Sequence, residues 1–245
     1  DAFTWFTKAA ALGQAESIAE LADYYYHFYD AKELRSTIPY DPVKAIGLYR
    51  RAATKNFSDA GYTALQAAFG YIFHIGHLPL DWGLIADLTH MAATKERFMF
   101  ALPYIGYMRI HGLGVTKNVR FAVQSLLRVL DEEQRAFEEE NRVLFYDITR
   151  ALTRVALGYA YEKGYVTGKP DLDAAVVYYE ESHQYILSHK VNLDEELKDI
   201  PIDNEAEERL AAFEEIDGHW QYKEGFTESI STVRPGHTEW PQNAA

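Results

Sequence analysis

Three dipeptides, Gly70-Tyr71, Gly106-Tyr107 and Gly158-Tyr159, are each followed by a second glycine six residues after the first: Gly76, Gly112 and Gly164. An apolar residue, Phe69, Ile105 or Leu157, precedes each copy. Self-similarity of this kind limits the fold more tightly than composition does, because it marks one supersecondary unit used several times. A worn fourth copy starts at Leu21-Ala22, with alanine in the place of glycine.

Behind each glycine pair comes a helix-start signal. Asp41-Pro42 is the clearest. The Asp side chain accepts free backbone N–H groups, and Pro at the first helical position lacks an N–H that would go unpaired. Asp81, Asn118 and Asp171 occupy the equivalent places. Four residues after these starts stand Ala45, Ile85, Ala122 and Ala175; eight after stand Tyr49, Thr89, Leu126 and Tyr179; eleven after stand Ala52, Ala92, Val129 and Ser182. Offsets of four, eight and eleven lie on one face of an α-helix. Ala2, Phe6 and Ala9 fit the same frame without its start, which predicts that the sequence begins inside a helix.

Each unit therefore reads as a helix, a glycine-bounded turn and a second helix. Small residues let helix backbones approach and tyrosines fill the wider gaps. The second glycine falls where a helix ends and the chain needs positive φ. The helix starts are 40, 37 and 53 residues apart. Insertions at 29–40 and 131–146, the latter a helical extension, account for most of the drift.

The stretches ALGYAYEKG and DLDAAVVYYEES resemble a Sel1-like repeat, a relative of the tetratricopeptide repeat. IGYMRIHGLGVTKNVRFAVQSLL, DPVKAIGLYRRAA and FTWFTKAA are similar, so the likeness covers roughly residues 1–186. The resemblance implies an all-α, right-handed α-solenoid of about four hairpins that binds other proteins and has no catalytic activity of its own. Bacterial members of the family are often exported, and some are similar to immunity proteins that neutralise a secreted toxin. In tetratricopeptide-like solenoids the first helix of each hairpin lines the concave face. By that resemblance Tyr25, His27, Tyr71, His74, Arg109 and Glu162 are candidate partner contacts.

Residues 187–245 lie beyond the likeness. Within them, 192–217 carry eleven acids against Lys198 and Arg209. Asn204 followed by Glu207 resembles a capping box, and Ala206, Leu210 and Phe213 give a narrow apolar stripe, so a terminal capping helix is expected there. Residues 218–245 lack helical period but contain Trp220, Tyr222, Phe226 and Trp240, an aromatic tail expected to pack back on the solenoid.

The chain's net charge is −13. Such a surface repels phosphate backbones and suits a basic protein partner. No run of about 18 apolar residues is present to span a membrane. The sequence has no cysteine, which removes disulfides and thiolate zinc sites. His74, His77 and His90 form no HExxH pattern and read as turn and surface residues, so no metal is expected. No Gly-Lys-Ser/Thr follows the glycines, so no phosphate cradle and no cofactor is expected. The run Glu138-Glu139-Glu140 and the acids at 194–217 read as solvated faces, since a catalytic pair needs one desolvated member. YYYHFY at 24–29 places five aromatics in six positions, more than one helix face buries. Core packing accounts for most such tyrosines, and a recognition surface is the alternative.

These observations point to protein binding by shape and charge complementarity, with a bacterial immunity-type inhibitor of a toxin as the concrete form. An envelope or periplasmic assembly scaffold is the second reading, and a hydrolase using paired carboxylates is the rival of a different class. The sequence opens on Asp1 rather than Met, which a removed export signal or a trimmed start explains equally. A periplasmic or otherwise exported location is the expectation.

Overall fold

The computed structural model describes residues 2–26, 38–72, 78–94, 98–136, 144–190, 201–224 and 226. His27, His74, Gly76, His77, most of the 29–40 insertion and Trp240 lie outside the described residues.

Among the described residues the helices are α1 (Ala2–Ala11), α2 (Ala15–Tyr26), α3 (Pro42–Ala53), α4 (Ala60–Ile72), α5 (Trp82–Ala93), α6 (Phe98–His111), α7 (Val119–Ala136), α8 (Leu144–Glu162), α9 (Leu172–Lys190) and α10 (Pro201–Ala211). Two strands follow, β1 (Phe213–Ile216) and β2 (His219–Tyr222). The fold class is the all-α repeat solenoid that the resemblance implies. The chain divides into two compact units, residues 1–101 and 102–245. The boundary falls inside α6 beside Pro103, a residue with no backbone N–H to donate to the helix.

In unit 1, α1 packs on α2, α2 on α3, α3 on α4 and α4 on α5. In unit 2, α7 packs on α8, α8 on α9 and α9 on α10, with β2 against α9. All four predicted helix starts are caps. Asp41 Oδ1 accepts from Lys44 N (2.9 Å), Asp81 Oδ1 from Leu84 N (3.0 Å), Asn118 Oδ1 from Phe121 N (3.1 Å) and Asp171 Oδ1 from Ala174 N (3.0 Å). Each contributes about 1 kcal/mol, since it satisfies a donor that the helix leaves free. Every residue at offsets four, eight and eleven from these caps is buried. The two polar members of the set are satisfied: Thr89 donates to Ile85 O (2.9 Å) and Ser182 to Ala151 O (2.9 Å). In α1 the same frame is shallower, with Phe6 and Ala9 half-buried and Ala2 exposed. The expected helical extension is visible in its described part: α7 has 18 residues and α8 has 19, against 12 for α3 and α5.

The glycines divide the labour as their spacing suggests. A Cβ on Gly158 would come within 2.8 Å of the Tyr179 ring, and one on Gly106 within 2.8 Å of Leu126, so each hairpin closes at contact distance. Gly70 departs from this pattern, because its close neighbour is Ile46 of the preceding α3 rather than a residue of α5. Gly112 and Gly164 have φ of +77° and +70°, as their place behind a helix end requires.

The C-terminal region needs correcting. Asn204 is not a cap but lies inside α10, whose first residue is Pro201. Phe213 does not continue the helical stripe; it opens β1, which pairs antiparallel with β2 in the register Phe213↔Tyr222 and Ile216↔His219. The two-residue loop is Asp217-Gly218, with φ of 55° and 80°. Asp-Gly at positive φ is the turn whose twist matches the right-handed twist of paired strands. That local signal, flanked by Phe213, Ile216, Trp220 and Tyr222, outweighs the helical pattern around it.

Candidate partner-binding surface

The candidate contacts of unit 1 are held by cations from α3. Tyr25 is half-buried with its ring edge-on to Phe3. Lys44 Nζ donates to the Tyr25 hydroxyl (2.7 Å) and lies 4.0 Å from the ring centroid. Tyr71 is buried, and its hydroxyl accepts from Arg50 Nη1 at 3.5 Å. Of the aromatic run at 24–29, Tyr24 takes ring contacts from both Phe3 and Phe6, and Tyr26 from Tyr40.

In unit 2 the equivalent face is occupied. The rings of Tyr107, His111 and Tyr159 form a ladder with centroids 4.6 and 4.5 Å apart. Helix α10 lies against it. Tyr107 donates to Glu205 Oε2 (2.6 Å), and Arg209 stands 5.3 Å from the Tyr159 ring centroid. Burial lifts the Tyr107 hydroxyl well above its ordinary range, and Glu205 adds to this. Burial lowers His111 below its ordinary value of 6.5. Glu162 has no exposed side-chain surface. Its Oε1 accepts from Arg209 (3.0 Å), Lys163 (2.8 Å) and the Tyr222 hydroxyl (2.8 Å), and its Oε2 accepts from Tyr179 (2.8 Å). In this structure Glu162 ties α8, α9, α10 and β2 together and offers no surface to a partner. Arg109, half-buried, lies 4.9 Å from the Phe121 ring centroid. The described candidates of the two units are therefore spread over separate local clusters.

The sequence reading missed a cavity of about 520 Å³ between α7, α8 and α9. At its centre Arg154 donates from Nη1 to Glu133 Oε2 (2.7 Å) and from Nε to Glu181 Oε2 (3.0 Å). Its guanidinium lies 4.8 Å from the Tyr185 ring centroid. Arg150 Nε is 3.9 Å from the same Glu133 oxygen. Burial raises the Glu133 carboxyl above its usual range, and Arg154 pulls against this. The stacked rings of Tyr161 and Tyr178 (5.3 Å, 21°) form another wall. Glu133 is thus a desolvated acid within the run Asp131-Glu132-Glu133, which nothing in the local sequence marks as buried. The available signal was Arg150 and Arg154, two arginines one turn apart in a stretch otherwise rich in Ala, Leu and Val. A buried guanidinium requires carboxylates nearby.

Among the described residues no group of three or more His, Asp or Glu side chains is placed to hold a metal ion. No described helix is long and apolar enough to cross a membrane.

A profile of the Sel1 repeat matches residues 1–14, 15–57, 104–124 and 149–182. These four segments are similar to the Sel1 repeat. The matched segments hold the caps of α3, α7 and α9. The profile passes over α4 and α5, although the Asp81 cap and the buried Ile85, Thr89 and Ala92 place that pair in the same frame. Among solved structures, a Sel1 repeat protein from Oxalobacter formigenes is 23% identical, with 77% of this chain and 67% of that chain covered and a TM-score of 0.46. A protective antigen present in uropathogenic Escherichia coli strains, which displays an SLR fold, is 15% identical over 84% of this chain and 56% of that chain, with a TM-score of 0.25. No curated protein matches the sequence. Sel1 repeats generally mediate protein–protein interaction, and the family is typically a non-catalytic scaffold.

Proposed function

We propose that this Sel1-like protein is a non-catalytic binding module for a basic protein, and that it acts as an immunity-type inhibitor of a bacterial toxin. The observation that carries the reading is the excess of acid, −13 over 245 residues, on a repeat scaffold. Exposed acids such as Glu207, Glu208 and Glu215 supply a field that draws a positive surface into contact. Glu133 and Glu181 are both engaged by Arg154. A hydrolytic pair needs one acid free to give its proton and the other free to attack or activate water. The proposed setting is the periplasm.

The test is co-expression with the product of the adjacent gene. An immunity protein binds that product tightly and restores growth to cells making it; absence of both binding and rescue would sink the reading. Recovery of several envelope components instead would favour an assembly scaffold. Cell fractionation of the full-length protein tests the compartment.

A further inference from the structure

The cavity between α7, α8 and α9 already holds one guanidinium, and it retains acceptors for another. Arg154 uses a single oxygen from each of two carboxylates, Glu133 Oε2 and Glu181 Oε2. Among the described residues neither Glu133 Oε1 nor Glu181 Oε1 receives a hydrogen bond. The Glu133 side chain is only 10% exposed, so its idle oxygen is an unsatisfied acceptor inside the protein. The Glu181 side chain is 46% exposed and stands at the solvent side. Tyr161 and Tyr178 present a stacked pair of rings beside these acids, and Val177 is half-exposed on the same lining.

We propose that this cavity takes an arginine side chain from a partner protein, Glu181 Oε1 being its first acceptor and the Tyr161–Tyr178 pair its flat wall. The inference rests on the reading of a basic partner and names the anchor that such a partner would use. Arginine fits better than lysine, because a planar guanidinium donates in pairs and stacks on aromatic faces, as Arg154 does on Tyr185. Its methylene stem suits an apolar edge such as Val177. An incoming carboxylate would meet the same two acceptors, and the Arg150 Nε on this lining already faces Glu133 Oε2 at 3.9 Å. The charges of Glu133, Glu181, Arg150 and Arg154 sum to zero, so oxygen placement sets the preference within the cavity while the chain's net −13 provides the long-range pull.

The probe is acetyl-Gly-Arg-Gly-amide, titrated into the full chain at low salt and followed by calorimetry and by the backbone resonances of α9. Saturable binding is expected, weakened about ten-fold or more by Glu181→Gln, as loss of a charge-assisted hydrogen bond implies. Val177→Trp, a change at a half-exposed position that leaves every ion pair in place, should abolish binding by filling the cavity. The lysine analogue should bind several-fold more weakly and the glutamate analogue not at all. The proposal is overturned if the arginine peptide does not bind, if it binds Val177→Trp as well as wild type, or if the glutamate peptide binds equally. A natural partner that still binds Val177→Trp with full affinity would remove the anchor while leaving the protein-binding function standing.

Discussion

Gly47 and Gly158 are both helical, yet their surroundings differ. Nothing lies within 4 Å of a Cβ on Gly47, whereas one on Gly158 meets the Tyr179 ring at 2.8 Å. Alanine gains up to about 1 kcal/mol over glycine within a helix. Overpacking a filled core costs about 1–3 kcal/mol, and Tyr179, fully buried and hydrogen-bonded to Glu162, has no room to swing aside. Gly47→Ala should therefore stabilise the protein by roughly 0.5–1 kcal/mol and Gly158→Ala should destabilise it by about 1–3 kcal/mol, read as shifts of the urea midpoint. His111 gives a second test at this scale. Burial lowers its folded pKa below 6.5, and that effect exceeds the opposing pull of Glu205, whose Oε1 is 3.7 Å away. Arg209 and Lys117 push in the same direction as burial, and Glu162 opposes it. As pH falls through about 6.5 the unfolded chain binds a proton that the folded chain refuses, so stability present above that pH is progressively lost. As pH falls below about 6.5, wild type should lose more stability than His111→Phe, a replacement that keeps the ring ladder. Equal slopes would show that His111 is not the group responsible. Caps and contact glycines were legible in the sequence because each acts within a few residues of itself. The burial of Glu162 and Glu133 was not, because it is imposed by side chains far along the chain.

Among the elements, α10 and the β-hairpin depend on α8 and α9 for their place. Glu162 receives Arg209 from α10 and Tyr222 from β2, while Asp173 of α9 accepts from Trp220 N (2.8 Å) and lies 3.1 Å from His219 Nδ1. Phe213 adds an apolar contact by stacking on Tyr179. Removing one member of a buried ion pair leaves the other charge uncompensated, at a cost of about 3–5 kcal/mol. Glu162→Ala should release the hairpin and collapse amide-exchange protection at 219–222, while protection in α3 to α5 of unit 1 is retained. Protection unchanged at 219–222 would mean that Phe213 and the Asp173 contacts hold the hairpin without Glu162. The helices were readable from period 3.6, but the hairpin was hidden in an acid-rich stretch. Its only local mark is Asp217-Gly218, and a four-residue strand on either side is too short for alternation to compete with Ala206 and Leu210 at helical spacing.

At the scale of the whole molecule, the repeat pattern revealed the scaffold and the charge sum pointed to a class of partner. Neither could say which acids are available, because availability depends on packing. The acids at 192–217 appear in sequence as one block, but Glu205 is engaged by Tyr107, whereas Glu207, Glu208 and Glu215 are exposed. Only the exposed acids can steer an approaching partner through solvent, and steering acts on association far more than on dissociation. Changing Glu207, Glu208 and Glu215 together to Lys moves the net charge from −13 to −7. Association with a basic partner should then slow by about ten-fold or more at low salt, with the dissociation rate nearly unchanged and the salt dependence flattened. Glu205→Gln should behave differently, because its carboxylate belongs to the Tyr107 contact. It should leave the association rate close to wild type and lower the stability of α10 instead. Stopped-flow rates at several ionic strengths separate the two behaviours. If the triple variant associates as fast as wild type while Glu205→Gln slows association, the steering field does not come from the exposed acids of this region.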